Sequence, residues 1–247
     1  MNANEILFRC SSLGYIMTEP RSKSETLSET TKTHLVDKFV SAKYNRENDI
    51  QNKYINKGLA VEEDSITLYS RVNKTFFSKN ERTLVNDFIS GTPDLFVGNE
   101  IENAQIIIDI KSSWDIFTFF RTTQDKLNKM YYWQLQGYMA LTCAKSARLV
   151  YCLVNTPEAL IYDEKNKLKW KMGVINPDTD ENFIAACDEL DKVMKYDDVP
   201  MEERVNEITV ERNDADIERL YERVKQCREY MNAFLFKTML QPNPVAV

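Results

Sequence analysis

Asp94 and the tripeptide Asp109-Ile110-Lys111 are the residues of this chain best suited to bond-breaking chemistry. Asp94 closes the turn signal Gly91-Thr92-Pro93, and Asp109 follows fifteen residues later. The β-branched run Ile106-Ile107-Ile108 reads as a strand covered on both faces, over residues 105–111. Alternate residues of a strand share a face, so Asp109 and Lys111 would point the same way. Asp94 would begin the neighbouring short strand, where hairpin-like pairing brings its carboxylate beside that of Asp109. Two convergent carboxylates require a cation to relieve their repulsion, and oxygen ligands select Mg²⁺, with Mn²⁺ as its substitute, over Zn²⁺. The carbonyl of Ile110 is a further oxygen ligand. A hard cation so held polarises a phosphoryl oxygen and acidifies a bound water. A lysine beside that water orients it or stabilises the developing charge. The reaction class is phosphodiester hydrolysis.

Each residue also has a plainer reading. Asp94 alone is a turn aspartate, and Lys111 alone is a strand-end lysine with its head in water. Asp109 is harder to explain this way, because an acid inside an apolar strand must be paired or metal-bound. The joint arrangement favours the metal site.

These residues resemble the signature of the PD-(D/E)xK nuclease superfamily: Pro93-Asp94 as "PD" and Asp109-Ile110-Lys111 as "(D/E)xK". Two further motifs are similar to those of its YqaJ and phage lambda exonuclease branch. Gly58-Leu59-Ala60-Val61-Glu62 looks like the GxxxE that supplies an additional metal-site glutamate, with Glu63 as the fallback. Gln134-Leu135-Gln136-Gly137-Tyr138 matches the QxxxY helix of RecB-like nucleases. Arg9-Cys10-Ser11-Ser12 is similar to the Arg/Ser segment that such exonucleases place near the terminal phosphate. The resemblance covers residues 1–155. It implies that Glu62, Asp94, Asp109 and the Ile110 carbonyl hold the metal and that Lys111 positions the attacking water. DNA contacts are then expected from Gln134, Gln136, Tyr138, Arg9, Ser11 and Ser12.

The charge distribution bears on this. The 247 residues carry 32 Lys plus Arg against 38 Asp plus Glu, a net of −6. Such a balance does not suggest a generic nucleic-acid binder. Residues 178–247 hold 9 of the basic and 17 of the acidic groups, so residues 1–173 stand at +2. The acidic excess marks residues 178–247 as the part least suited to touch DNA. Arg121, Lys126 and Lys129, near the motif, are better phosphate contacts than the stretch Lys165, Lys167, Lys169, Lys171 with Trp170, which reads as a solvated helix face.

Other chemistries are poorly supplied. His34 is the sole histidine, which leaves no His pair and makes His34 a structural or surface residue. The five cysteines never form CxxC pairs, which implies reduced thiols. With no apolar run near the ~18 residues that span a membrane and no signal-peptide h-region, a cytoplasmic protein of a bacterial or phage-infected cell is expected.

The motifs must be carried by definite elements. Short helical pieces are expected over 2–18, a loop over 19–30, a helix over 31–44, and a long helix from the cap Asn48-Asp49 to Tyr69 with Leu59 and Val61 turned inward. Strands are expected at 75–78, 84–89, 94–97 and 105–111, helices at 115–120 and 129–143, and a strand at 147–155. A helix from Pro157 to Gly173, an acidic helix at 180–193, a strand at 206–212 and an amphipathic helix at 214–240 complete the chain. The fold class is therefore α/β: a central mixed sheet flanked by helices in a restriction-endonuclease-like core (1–173), with an acidic α-rich extension (174–247) packed on it. The activity this implies is a Mg²⁺-dependent deoxyribonuclease, an exonuclease resecting double-stranded ends in phage-type recombination or repair. A single-strand annealing protein or recombinase is the expected protein partner, and by analogy to the family the chain would form a homo-oligomer. Two alternatives stand beside it: a catalytically inactive DNA- or protein-binding module of the same fold, and a structure-specific endonuclease.

Overall fold

The computed structural model describes residues 3–46, 53–124 and 127–236, without the side chains of residues 53–55, 234 and 236. After a 3-10 turn, strand β1 (Phe8–Arg9) leads through a second 3-10 turn into one helical turn, α1 (Leu13–Ile16). Helix α2 (Glu29–Tyr44) starts at Ser28, whose hydroxyl accepts from the Thr31 amide at 3.0 Å. It ends at Asn45, which takes the left-handed conformation with φ 50°.

The long helix expected up to Tyr69 is instead two, α3 (Lys53–Ala60) and α4 (Glu62–Val72), and its expected cap Asn48-Asp49 lies outside the described residues. The break falls at Val61, which leaves helical geometry at φ −115°, ψ 14°. Glu62, Glu63 and Asp64 then occupy the first turn of a new helix, where the positive end of the helix dipole favours acids. The break buries Val61 but turns Leu59 outward, 72% exposed, contrary to expectation.

Residues 75–78 form no strand; they leave α4 through a turn in which Lys74 has φ 52°. The strand expected over 84–89 is a tight hairpin of β2 (Leu84–Val85) and β3 (Ile89–Gly91). Asn86 makes the turn, its side-chain oxygen accepting from the amides of Phe88 and Ile89 at 2.9 Å each. The remaining elements follow in order: β4 (Leu95–Val97), β5 (Ile106–Ser112), α5 (Ile116–Thr122), α6 (Lys129–Leu141), β6 (Ser146–Cys152), α7 (Glu158–Met172), α8 (Glu181–Met194), β7 (Val205–Glu211) and α9 (Asp214–Tyr230). Met231–Phe236 continues α9 as π-helical turns.

A three-stranded sheet has the order β1-β3-β2, and the main sheet has the order β4-β5-β6-β7. In the latter, β4 and β7 are antiparallel to their neighbours, whereas β5 and β6 are parallel from Ile106↔Ser146 to Ser112↔Cys152. The fold is thus the expected mixed sheet flanked by helices, and the acidic last third supplies one edge strand, β7. Side chains of β5 alternate between two cores. Ile107 packs with residues of α1, α2, α6 and α9, while Ile108 and Ile110 pack with Val61, Ile66 and Tyr69 on the opposite face. Asp109 and Lys111 have the parity of Ile107 and face α6.

Candidate active site

Asp94 sits just before β4, and a side chain not foreseen from the sequence holds that corner. Buried Asn80 donates through Nδ2 to the Pro93 carbonyl at 2.8 Å, and its amide donates to the Asp94 carbonyl at 2.7 Å. The Asp94 carboxylate reaches across to β5, where Oδ2 accepts from the Ile110 amide at 2.7 Å. Asp109 is almost wholly buried, 1% exposed. The Lys111 ammonium lies 2.6 Å from its Oδ2, and Gln134 of α6 donates through Nε2 to its Oδ1 at 3.0 Å. The same Nε2 is 2.9 Å from the Tyr138 hydroxyl, one turn further along α6. Tyr131, one turn before Gln134, presents its ring 5.3 Å from the Lys111 ammonium.

The electrostatics follow from this crowding. Burial raises the Asp94 pKa to about 7, and the neighbouring Asp109 charge adds to the rise, against the pull of Lys111 and the Ile110 amide. Burial pulls Lys111 down, yet the carboxylates of Asp109 and Asp94 hold it above the ordinary lysine range. Burial, with the Asp109 charge behind it, pushes the Tyr138 phenol far up, so Tyr138 stays neutral beneath the site.

Asp94, Ile110 and Lys111 line a cavity of about 530 Å³ together with Glu62, and Ser112, Ser113, Trp114, Thr118, Thr122 and Tyr131 contribute to its walls. Glu62 faces this space but its carboxylate lies 2.7 Å from the Lys79 ammonium, while Glu63 is exposed and outside the cavity wall. Among the described residues no three acidic, histidine or cysteine side chains converge. The convergent pair is Asp94 and Asp109. Its chemistry fits a hard divalent cation: Asp94 is disfavoured as an anion, and buried Asp109 Oδ2 has no hydrogen-bond partner beyond its ion pair with Lys111.

No protein-family model and no curated protein matches this sequence. Solved structures do. A phage-related exonuclease from Haemophilus somnus 129PT superposes with a TM-score of 0.73 over 94% of this chain and 96% of that one, at 26% identity. The chain has the fold of this phage-related exonuclease, which supports its resemblance to the YqaJ/lambda exonuclease-like branch of the PD-(D/E)xK nuclease superfamily. The alkaline exonuclease LHK-Exo of Laribacter hongkongensis shares the fold, with a TM-score of 0.59 at 14% identity over 96% of this chain and 95% of that one. Its complex with dAMP gives 0.61 at 16% identity, over 95% and 92%.

Within this family pattern the residues expected to touch DNA part company. Gln134 and Tyr138 are 6% and 4% exposed and do not line the opening; Gln134 donates to Asp109 from behind, and Tyr138 accepts from Gln134. Gln136 is fully buried and faces elsewhere: its Nε2 donates to the Glu211 carbonyl at 2.8 Å and its Oε1 accepts from the Asn213 amide at 3.0 Å. It clamps α6 to the β7–α9 corner, with both ends of its amide engaged inside the fold. Arg9, Ser11 and Ser12 line a second cavity of about 780 Å³, where the ring of half-buried His34 stacks on Tyr15 at 5.4 Å. Of the lysines in α7, Lys165 pairs with Asp191 and Lys167 with Glu164, as on a solvated face. Arg121 and Lys129 are exposed, and Lys126 lies outside the described residues.

Tyr131 precedes Gln134 by three residues in a helix, and the structure keeps it on the face that this spacing gives it. Gln136 follows Gln134 by two, about 200° around the helix at 3.6 residues per turn, and had to point away. Asn80 and the Ser112-Ser113-Trp114 wall carry no comparable signal, because their roles rest on contacts between distant segments.

Proposed function

We propose that this chain is a divalent-metal-dependent exodeoxyribonuclease that degrades linear duplex DNA from its ends. The observation that carries the reading is the convergence of Asp94 and Lys111, which line one cavity, with buried Asp109 behind them, whose Oδ2 is partnered by the Lys111 ammonium. That the superposed proteins are exonucleases supports it, and the dAMP complex of one supports a nucleotide-sized ligand. A volume of about 530 Å³ lies in the ordinary range for small-ligand sites.

When bound, a Mg²⁺ ion supplies Lewis-acid polarisation of the phosphoryl oxygen and an acidified water. The chain's own residues do the rest. The Ile110 amide fixes one Asp94 oxygen and leaves the other for the cation. Gln134 likewise occupies Asp109 Oδ1 and leaves Oδ2 toward Lys111. Lys111, held protonated by both carboxylates, orients the nucleophilic water and stabilises charge developing at phosphorus. Glu62, which now pairs with Lys79, and the Ile110 carbonyl would supply the remaining protein oxygens of the proposed set. Arg9, Ser11 and Ser12, in the second cavity, are proposed to receive the strand terminus. The expected setting is phage-type recombination or repair in the cytoplasm, with a single-strand annealing protein or recombinase taking up the strand that remains, and with several copies of the chain assembled around DNA.

The test is degradation of 5′-labelled linear duplex with Mg²⁺ or Mn²⁺. Lys111→Ala and Asp109→Ala are each expected to lose about a thousandfold in rate, the upper range for removal of one transition-state contact. Equal activity in wild type and both variants would sink the assignment. Cleavage of closed circular duplex at the same rate would replace exonuclease by endonuclease.

A further inference from the structure

Helix α5 leaves β5 through the cavity wall at Ser112-Ser113-Trp114, and its residues divide by face. Thr118 and Thr122, one turn apart, line the catalytic cavity. Phe119 is buried against Leu153 and Tyr196, which anchors the helix. Phe117 and Phe120, three residues apart, stand on the outer side at 60% and 44% exposure. With Ile116, Arg121 and Gln124 they line a shallow hollow of about 510 Å³.

Two exposed phenylalanines on one short helix are unfavourable in water unless something covers them. The composition of the face indicates what that is. Residues 116–122 contain no acid, and their one charge is exposed Arg121, which has no salt bridge among the described residues. The acid at the helix start, Asp115, is engaged as the cap of Thr118 at 2.6 Å. In a chain of net charge −6, an aromatic pair beside a cation, without acids, is complementary to a polyanion with stacking bases. The face is also continuous with the cavity, since neighbouring residues of the same helix turn of α5 line both.

We propose that the outer face of α5 is a base-stacking platform for a single-stranded stretch of the nucleic acid whose backbone lies in the catalytic cavity. Phe117 and Phe120 receive successive bases and Arg121 the phosphate between them. This rests on the nuclease reading above and adds a binding site to it.

The experiment is fluorescence anisotropy of a short fluorescein-labelled deoxyoligonucleotide in EDTA, so that binding is read without turnover. Phe117→Ala and Phe120→Ala are each expected to weaken binding of the single strand about tenfold, whereas blunt duplex is affected less. Phe117→Tyr, which keeps the ring, is expected to stay near wild type, and Arg121→Gln to flatten the salt dependence. Circular dichroism confirms that each variant folds. Unchanged affinity in both folded alanine variants overturns the platform. So does a loss of self-association on sedimentation with DNA affinity intact, which would assign the face to a second copy of the chain. A wild type that cuts DNA while the alanine variants bind normally sinks the platform alone. A wild type that never cuts, but binds the oligonucleotide through both phenylalanines, sinks the nuclease reading and leaves the platform standing.

Discussion

Gln134 and Gln136 are two residues apart, of one type and both buried, yet the structure gives them opposite work. Gln134 orients Asp109, and removing its amide frees the carboxylate to rotate without emptying the core. Gln134→Leu is therefore expected to lower kcat about ten- to a hundredfold, the usual cost of losing a group that orients a metal ligand, while its urea midpoint changes little. Gln136→Leu strands the Asn213 amide and the Glu211 carbonyl. With about 1–3 kcal/mol for each buried polar group left unpaired, it is expected to lose stability measurably while the protein that remains folded keeps its kcat. Urea denaturation and steady-state kinetics on both variants separate the two roles, and a pair of variants with interchangeable defects would contradict the geometry. Asp94, Asp109 and Lys111 were readable from the sequence because strand parity and one turn signal are local rules. Glu62 was readable as part of the cavity, but its engagement by Lys79, seventeen residues away, was not.

At the scale of elements, the support under Asp109 depends on how closely β1, β3 and α6 approach. Gly91 of β3 and Gly137 of α6 both back onto Cys10, which follows β1. A methyl group at Gly91 would sit 2.7 Å from the Cys10 sulfur and 2.8 Å from the Tyr138 ring; at Gly137 it would sit 2.9 Å from the same sulfur. Gly91→Ala is thus expected to push Tyr138, and through Gln134 the carboxylate of Asp109, out of place. Overpacking of this kind costs about 1–3 kcal/mol, and here a fall in Tm should be accompanied by a fall in kcat. Cys10→Ala removes that sulfur and is expected to recover part of the stability of Gly137→Ala, where the sulfur at 2.9 Å is the second obstacle after Leu13 Cδ1 at 2.5 Å. A double variant no more stable than Gly137→Ala would refute that coupling. The elements themselves were largely legible where periodicity ran long, as in α2, α6, β5, β6 and α9. They were misread where a single residue decided the geometry. Asn86 folds one expected strand into a hairpin, and Val61 with the acids after it divides one expected helix into two. Residues 75–78 have strand-like composition but no partner strand, and a strand exists only by pairing.

For the whole molecule, the acidic last third is part of the architecture, since β7 is hydrogen-bonded to β6 along its length and α9 packs in the core beside α6. No helix among the described residues is long and apolar enough to cross a membrane. Stability and metal binding are then linked through Asp94. Its pKa in the fold, about 7, stands above the ordinary 3.8, so the metal-free fold holds a proton that the unfolded chain releases. The stabilisation from that proton is complete below about pH 4 and is lost as pH rises through 7. A cation bound to the Asp94 anion acts oppositely, because it must displace the proton below pH 7 and finds the site ready above it. The Mn²⁺-induced rise in Tm is therefore expected to be small at pH 5.5 and large at pH 8. Calorimetry below pH 7 should register close to one proton released per ion. Asp94→Asn removes the repulsion with Asp109, so it is expected to raise the metal-free Tm at pH 8 and to abolish most of the Mn²⁺ shift. A shift that is independent of pH, or that grows as pH falls, would separate Asp94 from the cation and return it to the role of a turn aspartate.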